Sequence, residues 1–396
     1  MDQHEVLIVG GGNAGISLAA RLLRDGVQDV AVVESESVHR YRPLLSYVAA
    51  GEATMDSLEK PAAQVMPPGC TWIPERVVEV DPAAPAVVTD SGRRIACTTL
   101  VVCPGLEEDW DAVPGLREAY AAGWAGSSFV VESAPRVWPA LRDLTSGRVV
   151  FTMPPEPAPC GATALKPLLM ACDHWRRSGV LEALDVHLVL PGPTPLGVPE
   201  ADRELGRTLA RYGVHVLREA RVAELTELTG LDERRVAVAT PGGEVVLDGV
   251  AYAHVVPHYR APRWVAESEL AGAGAAGQVE VDPETMRHRR HPQVWALGDV
   301  ADLGIRPSGG ALRRQVAVLA HNLRHPEGPE QRYDGYTVMP VTVARQRLMF
   351  VEVDREGRQQ QSLPVLDLVR PRRTSWWVDR YALPVTYFRR ILRGKV

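Results

Sequence analysis

Long apolar runs are missing from the sequence. None approaches the ~20 residues that a membrane-spanning helix needs, so no such span is expected. Cysteine is scarce: the 396 residues hold five, Cys70, Cys97, Cys103, Cys160 and Cys172, without metal-ligand spacing. That argues against a disulfide scaffold, predicts no metal site, and fits a reducing cytoplasm. Repeats and low-complexity tracts are absent as well. A strand-like run begins within five residues of the start, so no leader peptide is expected. What is present is ordinary globular composition, 45% apolar and 23% charged. The length exceeds what one compact core holds and predicts two or three domains.

Charge is unevenly spread. The net charge is −5, but the stretch from Val369 to Val396 carries eight Arg/Lys and one acid, or +7, against −12 for the rest. A basic tail on an acidic body predicts a local anionic partner such as a membrane surface. No nucleic-acid-binding motif accompanies it, and no nucleic acid is expected.

The first informative motif lies at the start. Glu5-Val6-Leu7-Ile8-Val9 reads as a buried parallel strand, followed by Gly10-Gly11-Gly12-Asn13-Ala14-Gly15. Gly10, Gly12 and Gly15 supply G-x-G-x-x-G, a helix follows, and Glu34 ends the next strand, Val30 to Val33. Gly10 serves the tight turn, Gly12 admits a pyrophosphate, and Gly15 lets helix and strand pack closely. Glu34 is placed for a ribose. Far down the chain, Pro292 to Asp299 reads as a short strand ending in Gly298-Asp299, with a helix near Gly310 to Leu319. Such a Gly-Asp suits the ribityl chain of FAD, with the helix N-terminus facing the flavin pyrimidine.

The second half lacks its own nucleotide signature. No glycine loop follows Val149-Val150-Phe151, and the strand from Val186 to Leu190 ends in Pro191-Gly192 without an acid for a ribose. Direct NAD(P)H oxidation is not expected. Pro155 to Lys166 stands there instead and contains Cys160. Thr163 is expected to cap a helix running to about Arg177, which with Lys166 would favour the Cys160 thiolate. The competing reading makes Cys160 a small residue in a proline-rich turn. Cys172 falls on the buried face of that helix and reads as core.

Several segments together carry a family likeness. They include the glycine loop, His39 to Pro43, Trp72-Ile73 with Arg76-Val77, and Phe151 to Lys166. His254-Val255 with Pro257, Val281-Asp282, Glu284-Thr285, His288 through Asp299, and Asp334-Gly335-Tyr336-Thr337 complete the set. In these the chain resembles the sulfide:quinone oxidoreductases, above all the branch with the mitochondrial enzyme. The resemblance implies an α/β protein with two Rossmann-like domains, the second inserted in the first, and a C-terminal segment that docks on a membrane and covers the flavin. Expected boundaries are 1–115 with 280–330, then 116–279, then 331–396. It implies FAD held by Gly10, Gly12, Asn13, Ala14, Gly15, Glu34, Val77, Gly105, Gly298, Asp299 and Gln315. It makes Cys160 the first of two redox cysteines, with sulfide as donor and quinone as acceptor.

The chain departs from that pattern where the second cysteine should follow Asp334-Gly335-Tyr336-Thr337. Val338-Met339 stands there, and a thioether can neither pair in a disulfide nor carry a persulfide. Cys103, at the end of the strand Leu100 to Val102, is a conceivable substitute, though a buried strand cysteine is the plainer reading. Arg306, Arg313, Arg314, Arg260 and Arg263 gather near the expected flavin segments, which allows a rival: an organic anion oxidised without a thiol. A third reading is a non-catalytic FAD-binding relative. In the tail, Trp376, Trp377, Tyr381, Tyr387 and Phe388 alternate with arginines, and Pro384 is expected to split two short helices. Rings with arginines suit a headgroup layer; a body cap or homodimer interface is the soluble alternative. The expected location is the cytoplasm, at the inner face of the plasma membrane.

Overall fold

A computed structural model describes residues 2–228, 233–362 and 367–395. In its first sheet, strand Asp2–Val9 lies between Val30–Val33 and Arg94–Val102, all parallel, with Thr71–Ile73 outside Val30–Val33. Val6 to Val9 and all of Val30–Val33 are buried, as strands covered on both faces must be. The long strand Arg94–Val102 serves two neighbours. Its first residues pair antiparallel with the hairpin Val77–Asp81/Ala86–Thr89, and its last three pair parallel with Val294–Ala296.

Register decides where chemistry can sit. Val9 pairs with Val33 and with Val102, and Val102 with Ala296. Three strands distant in sequence therefore end on one edge, and the chain leaves them as Gly10, Cys103 and Leu297. That edge, outside the carboxyl ends of parallel strands, is where open α/β sheets take ligands.

A second parallel sheet has the order Ala125–Gly126, Val250–His254, Gly147–Thr152, Leu184–Val189, His215–Leu217. All its strands fall between those that the first sheet takes from the N-terminal part and the returning strand Val294–Ala296. The second Rossmann-like unit is thus inserted in the first. A three-stranded antiparallel sheet, Arg221–Leu228, Glu233–Thr240 and Gly243–Leu247, is attached to it.

The C-terminal part begins as a hairpin, Thr337–Ala344 with Arg347–Val353, packed on helix Leu165–Ser178. Pro384 does not split the tail. The helical run passes from Arg373–Trp377 through a π turn, Val378–Ala382, into Leu383–Arg389. Proline offers no N–H to the preceding turn, and the wider turn just before it absorbs the mismatch. The last residues reach the first unit: Gly394 lies against the Ala20–Arg21 backbone, and Arg24 donates to its carbonyl at 2.9 Å. No helix among the described residues is long and apolar enough to cross a membrane.

Candidate active site

The glycine loop divides its work as the spacing predicts. Gly10 has φ +107°, and a Cβ there would lie 2.4 Å from the Cys103 carbonyl. A Cβ on Gly15 would lie 1.9 Å from the Gly10 carbonyl, so strand and helix touch there. At Gly12 a Cβ would meet nothing within 4 Å. Two glycines are forced by the protein's own packing, and the third faces open space. Helix Asn13–Arg24 starts there without a side-chain cap, leaving its first N–H groups for an anion. Glu34 is fixed at the end of the second strand, where it accepts N–H bonds from Gly11 at 2.7 Å and Glu36 at 2.8 Å.

Across the crevice, Gly298 (φ +78°) donates its N–H to Gln315 Oε1 at 3.0 Å. A Cβ on Gly298 would come 3.4 Å from Ala14 Cβ, and Asn13 donates to the Gly309 carbonyl at 3.4 Å. The loop residues Asn13 and Ala14 therefore face the Gly298 segment. The helix starts at Leu312, slightly later than the sequence suggests. Gly105 lies on the same edge, just past Cys103. Val77 is buried in the core of the first unit, at the start of the hairpin.

Asp299 is the unusual group. Its carboxylate accepts no hydrogen bond from a described residue, and it lines a small cavity with Gly298, Ser308 and Gln315. Burial pushes its carboxyl up from 3.8 to about 6, with Arg42 opposing. A partly buried acceptor without a protein donor suits the hydroxyls of a ribityl chain, so the residues fit FAD. The flavin-free protein should show the cost. The proton is held more tightly folded than unfolded, so this contribution is full below pH 3.8 and lost as pH rises through about 6. Asp299→Asn is expected to stabilise flavin-free protein above that range, by up to about 3 kcal/mol, and to weaken FAD retention. Urea unfolding across pH checks this; parallel pH profiles for the two proteins would refute it.

Cys160 is brought to the same place. Its N–H donates to the Pro307 carbonyl at 3.1 Å, docking the turn of the second unit on the segment that follows Asp299. Lys166, Asp299, Asp379 and Glu156 are the charges that face its thiol. The expected thiolate is not supported in this state. Burial pushes the thiol up to about 12, with Lys166 opposing and the carboxylates adding to the rise. Two local reasons account for the difference. Thr163 caps nothing: its hydroxyl donates back to the Cys160 carbonyl at 2.9 Å, and a 3-10 turn, Gly161–Ala164, precedes the helix at Leu165. Lys166 is committed elsewhere, its Nζ 2.6 Å from Asp379 Oδ2.

The other candidates separate. Cys172 is fully buried core. The Cys103 thiol sits under the glycine loop, 3.6 Å from the Gly10 carbonyl, with Glu34 the charge that it faces. Met339 is buried in the hairpin strand that packs on the Gly161–Ala164 turn, and its sulfur receives an Arg306 N–H at 3.9 Å. It lines a cleft of about 440 Å³ together with Glu156, Pro157 and Arg306. The arginines do not converge. Arg306 lies 3.7 Å from Glu156, Arg260 3.7 Å from Asp109 and Arg263 2.8 Å from Glu267. Arg314 pairs with Asp334, and Arg313 contacts the Gly310 carbonyl.

The fold and site define a flavoprotein with two Rossmann-like units, the first of which carries the glycine cradle. Residues 4–137 match the family model described as pyridine nucleotide-disulphide oxidoreductase. The mouse mitochondrial sulfide:quinone oxidoreductase is 28% identical over 99% of this chain and 87% of its own. The Dictyostelium discoideum mitochondrial sulfide:quinone oxidoreductase is 29% identical over 99% and 86%. The sulfide:quinone oxidoreductase of Aquifex aeolicus superposes with a TM-score of 0.84 at 17% identity, over 100% of this chain and 92% of that one, a likeness of fold. The chain is similar to the sulfide:quinone oxidoreductases over nearly its whole length, and it is a flavin oxidoreductase whose cofactor is FAD.

Three contributors escaped the sequence reading. Arg42 faces Asp299 and donates to the Phe129 carbonyl at 3.0 Å. His39 bridges the Gly11 carbonyl (3.1 Å) and the Tyr387 hydroxyl (2.7 Å). Asp379 takes Lys166. The first two lie in the His39 to Pro43 segment, which was noticed without a role; nothing local marks Asp379.

Proposed function

We propose that this protein oxidises a small sulfur nucleophile, sulfide or a related donor, at Cys160 and passes the electrons through FAD to a quinone. The observation that carries the reading is the placement of Cys160 beside Asp299, on the segment that walls the crevice. FAD bound there supplies a two-electron acceptor. The chain's own residues hold sulfur and protons. Glu156 and Asp299 are carboxylates beside the thiol, and burial raises both, which suits them better than an ordinary carboxylate to accept its proton. With Met339 in place of a second thiol, an external sulfur compound must complete each turnover, and the cleft beside Met339 is the open approach from that side. The paired arginines speak against the organic-anion alternative. The test is anaerobic addition of sulfide, then of a quinone analogue. Bleaching of the flavin followed by reoxidation supports the reading; a flavin that neither sulfide nor thiols bleach overturns it.

We propose that the acceptor side meets the inner face of the plasma membrane. Trp377, Val378, Tyr381 and Val385 are exposed on one side of the tail helix, with Arg373, Arg389 and Arg390 exposed around them. Apolar rings rimmed by guanidinium groups suit a headgroup layer. Trp377→Ser with Tyr381→Ser is expected to cut co-sedimentation with anionic vesicles at least about tenfold, since each ring is worth more than 1 kcal/mol of burial. Unchanged co-sedimentation would remove the membrane from the account.

A further inference from the structure

The Lys166–Asp379 pair joins the helix that follows Cys160 to the C-terminal tail. The two side chains are 0% and 4% exposed, and their charged atoms are 2.6 Å apart. Tyr47 donates to the same Asp379 oxygen at 2.7 Å, and Lys166 Nζ lies 4.6 Å from the Tyr47 ring centre. A buried ion pair gains little over apolar packing, while removing one partner alone is costly. Its presence here therefore points to a use beyond holding the fold.

Two further observations suggest that use. Lys166 and Asp379 both face the Cys160 thiol, yet the ammonium is turned to the carboxylate. Asp379 also lies in the π turn, whose outer side carries Val378 and Tyr381, exposed by 37% and 46%, next to Trp377 at 56%. One turn thus holds the carboxylate inside and an exposed apolar patch outside. We propose that Asp379 is a positioning residue for Cys160: the seated tail withholds the Lys166 ammonium, and a lipid surface that draws the tail outward releases it to the sulfur. Of the other carboxylates beside the thiol, Glu156 lies 3.7 Å from Arg306, while Asp299 feels Arg42, whose ion pair is with Glu108 at 3.7 Å. An ammonium freed from Asp379 is then available to a Cys160 thiolate and raises the thiolate fraction, the nucleophilic form. Tail seating by Arg380 and Trp376 on Glu52 makes the same motion one that those bonds resist. The inference rests on the reading of Cys160 as the reacting sulfur.

The test is the rate of iodoacetamide alkylation at Cys160 in the FAD-loaded protein, resolved by peptide mass spectrometry so that Cys70 is counted apart. Asp379→Asn is expected to alkylate at least about tenfold faster near neutral pH, with its pH midpoint moved down by a unit or more. The double variant Lys166→Met with Asp379→Asn should return to the wild-type rate, because it loses the carboxylate and the ammonium together. Phosphatidylcholine–phosphatidylglycerol vesicles should accelerate wild-type alkylation and leave Trp377→Ser unaffected. An unchanged rate in Asp379→Asn overturns the proposal. So does a double variant as fast as the single one, which would mean that loosening the tail merely exposes the thiol. If Asp379→Asn yields no folded holoprotein, wild-type protein with vesicles decides, and no acceleration overturns the proposal. Alkylation needs no turnover, so an active Cys160→Ser enzyme would sink the functional reading without touching this result.

Discussion

Cys160→Ser is expected to lower turnover with any sulfur donor at least about 1,000-fold, the scale on which losing a nucleophile acts. The protein around the position should be indifferent. The backbone N–H to Pro307 and the carbonyl that accepts from Thr163 both survive the change, so stability should move by less than about 1 kcal/mol. FAD content should also be kept, because the cradle is built from Gly10 to Glu34 and Gly298 to Gln315. Steady-state turnover beside flavin absorbance per protein separates these effects. A fully active serine variant would transfer the chemistry away from sulfur and revive the organic-anion alternative.

The second large effect divides two glycines of one loop. Gly15→Ala places a methyl 1.9 Å from the Gly10 carbonyl and 3.1 Å from Ile8 Cγ2. Strand and helix must separate, at a cost of about 3 kcal/mol, and the protein should lose both stability and flavin. Gly12→Ala meets nothing in the protein within 4 Å. Its flavin-free form should unfold within about 0.5 kcal/mol of wild type, while FAD occupancy falls steeply because the methyl stands where a pyrophosphate approaches. Denaturant unfolding and flavin absorbance on both variants check the contrast. Normal FAD binding by Gly12→Ala would place the cofactor elsewhere.

The parts that were readable in the sequence are those that local spacing dictates. Gly10, Gly12, Gly15 and Glu34 fall on a strand, a turn, a helix and the next strand, and the observed register puts them together. Gly298-Asp299 was readable because a short strand ending in Gly-Asp has few other uses, although only the pairing of Val294–Ala296 with the strand ending at Val102 shows how it reaches the loop. The ionisation of Cys160 was not readable. It depends on burial and on an acid 213 residues beyond Lys166, and no periodicity encodes either. Most of the arginines pair with acids, the plainer reading of such residues, but only Arg263 with Glu267 was local enough to be seen in the spacing; partners such as Asp109 and Asp334 come from other elements. Pro384 was read as a break because a π turn leaves no mark in a pattern of apolar spacing.

The most direct test is to ask where sulfur goes. FAD-loaded protein should be given one equivalent of sulfide without oxygen, quenched as its flavin bleaches, and its five cysteine peptides weighed. The account predicts one added sulfur atom on the peptide that carries Cys160 and none on those with Cys70, Cys97, Cys103 or Cys172. Bleaching with every cysteine unmodified, or with the sulfur on Cys103, would contradict it.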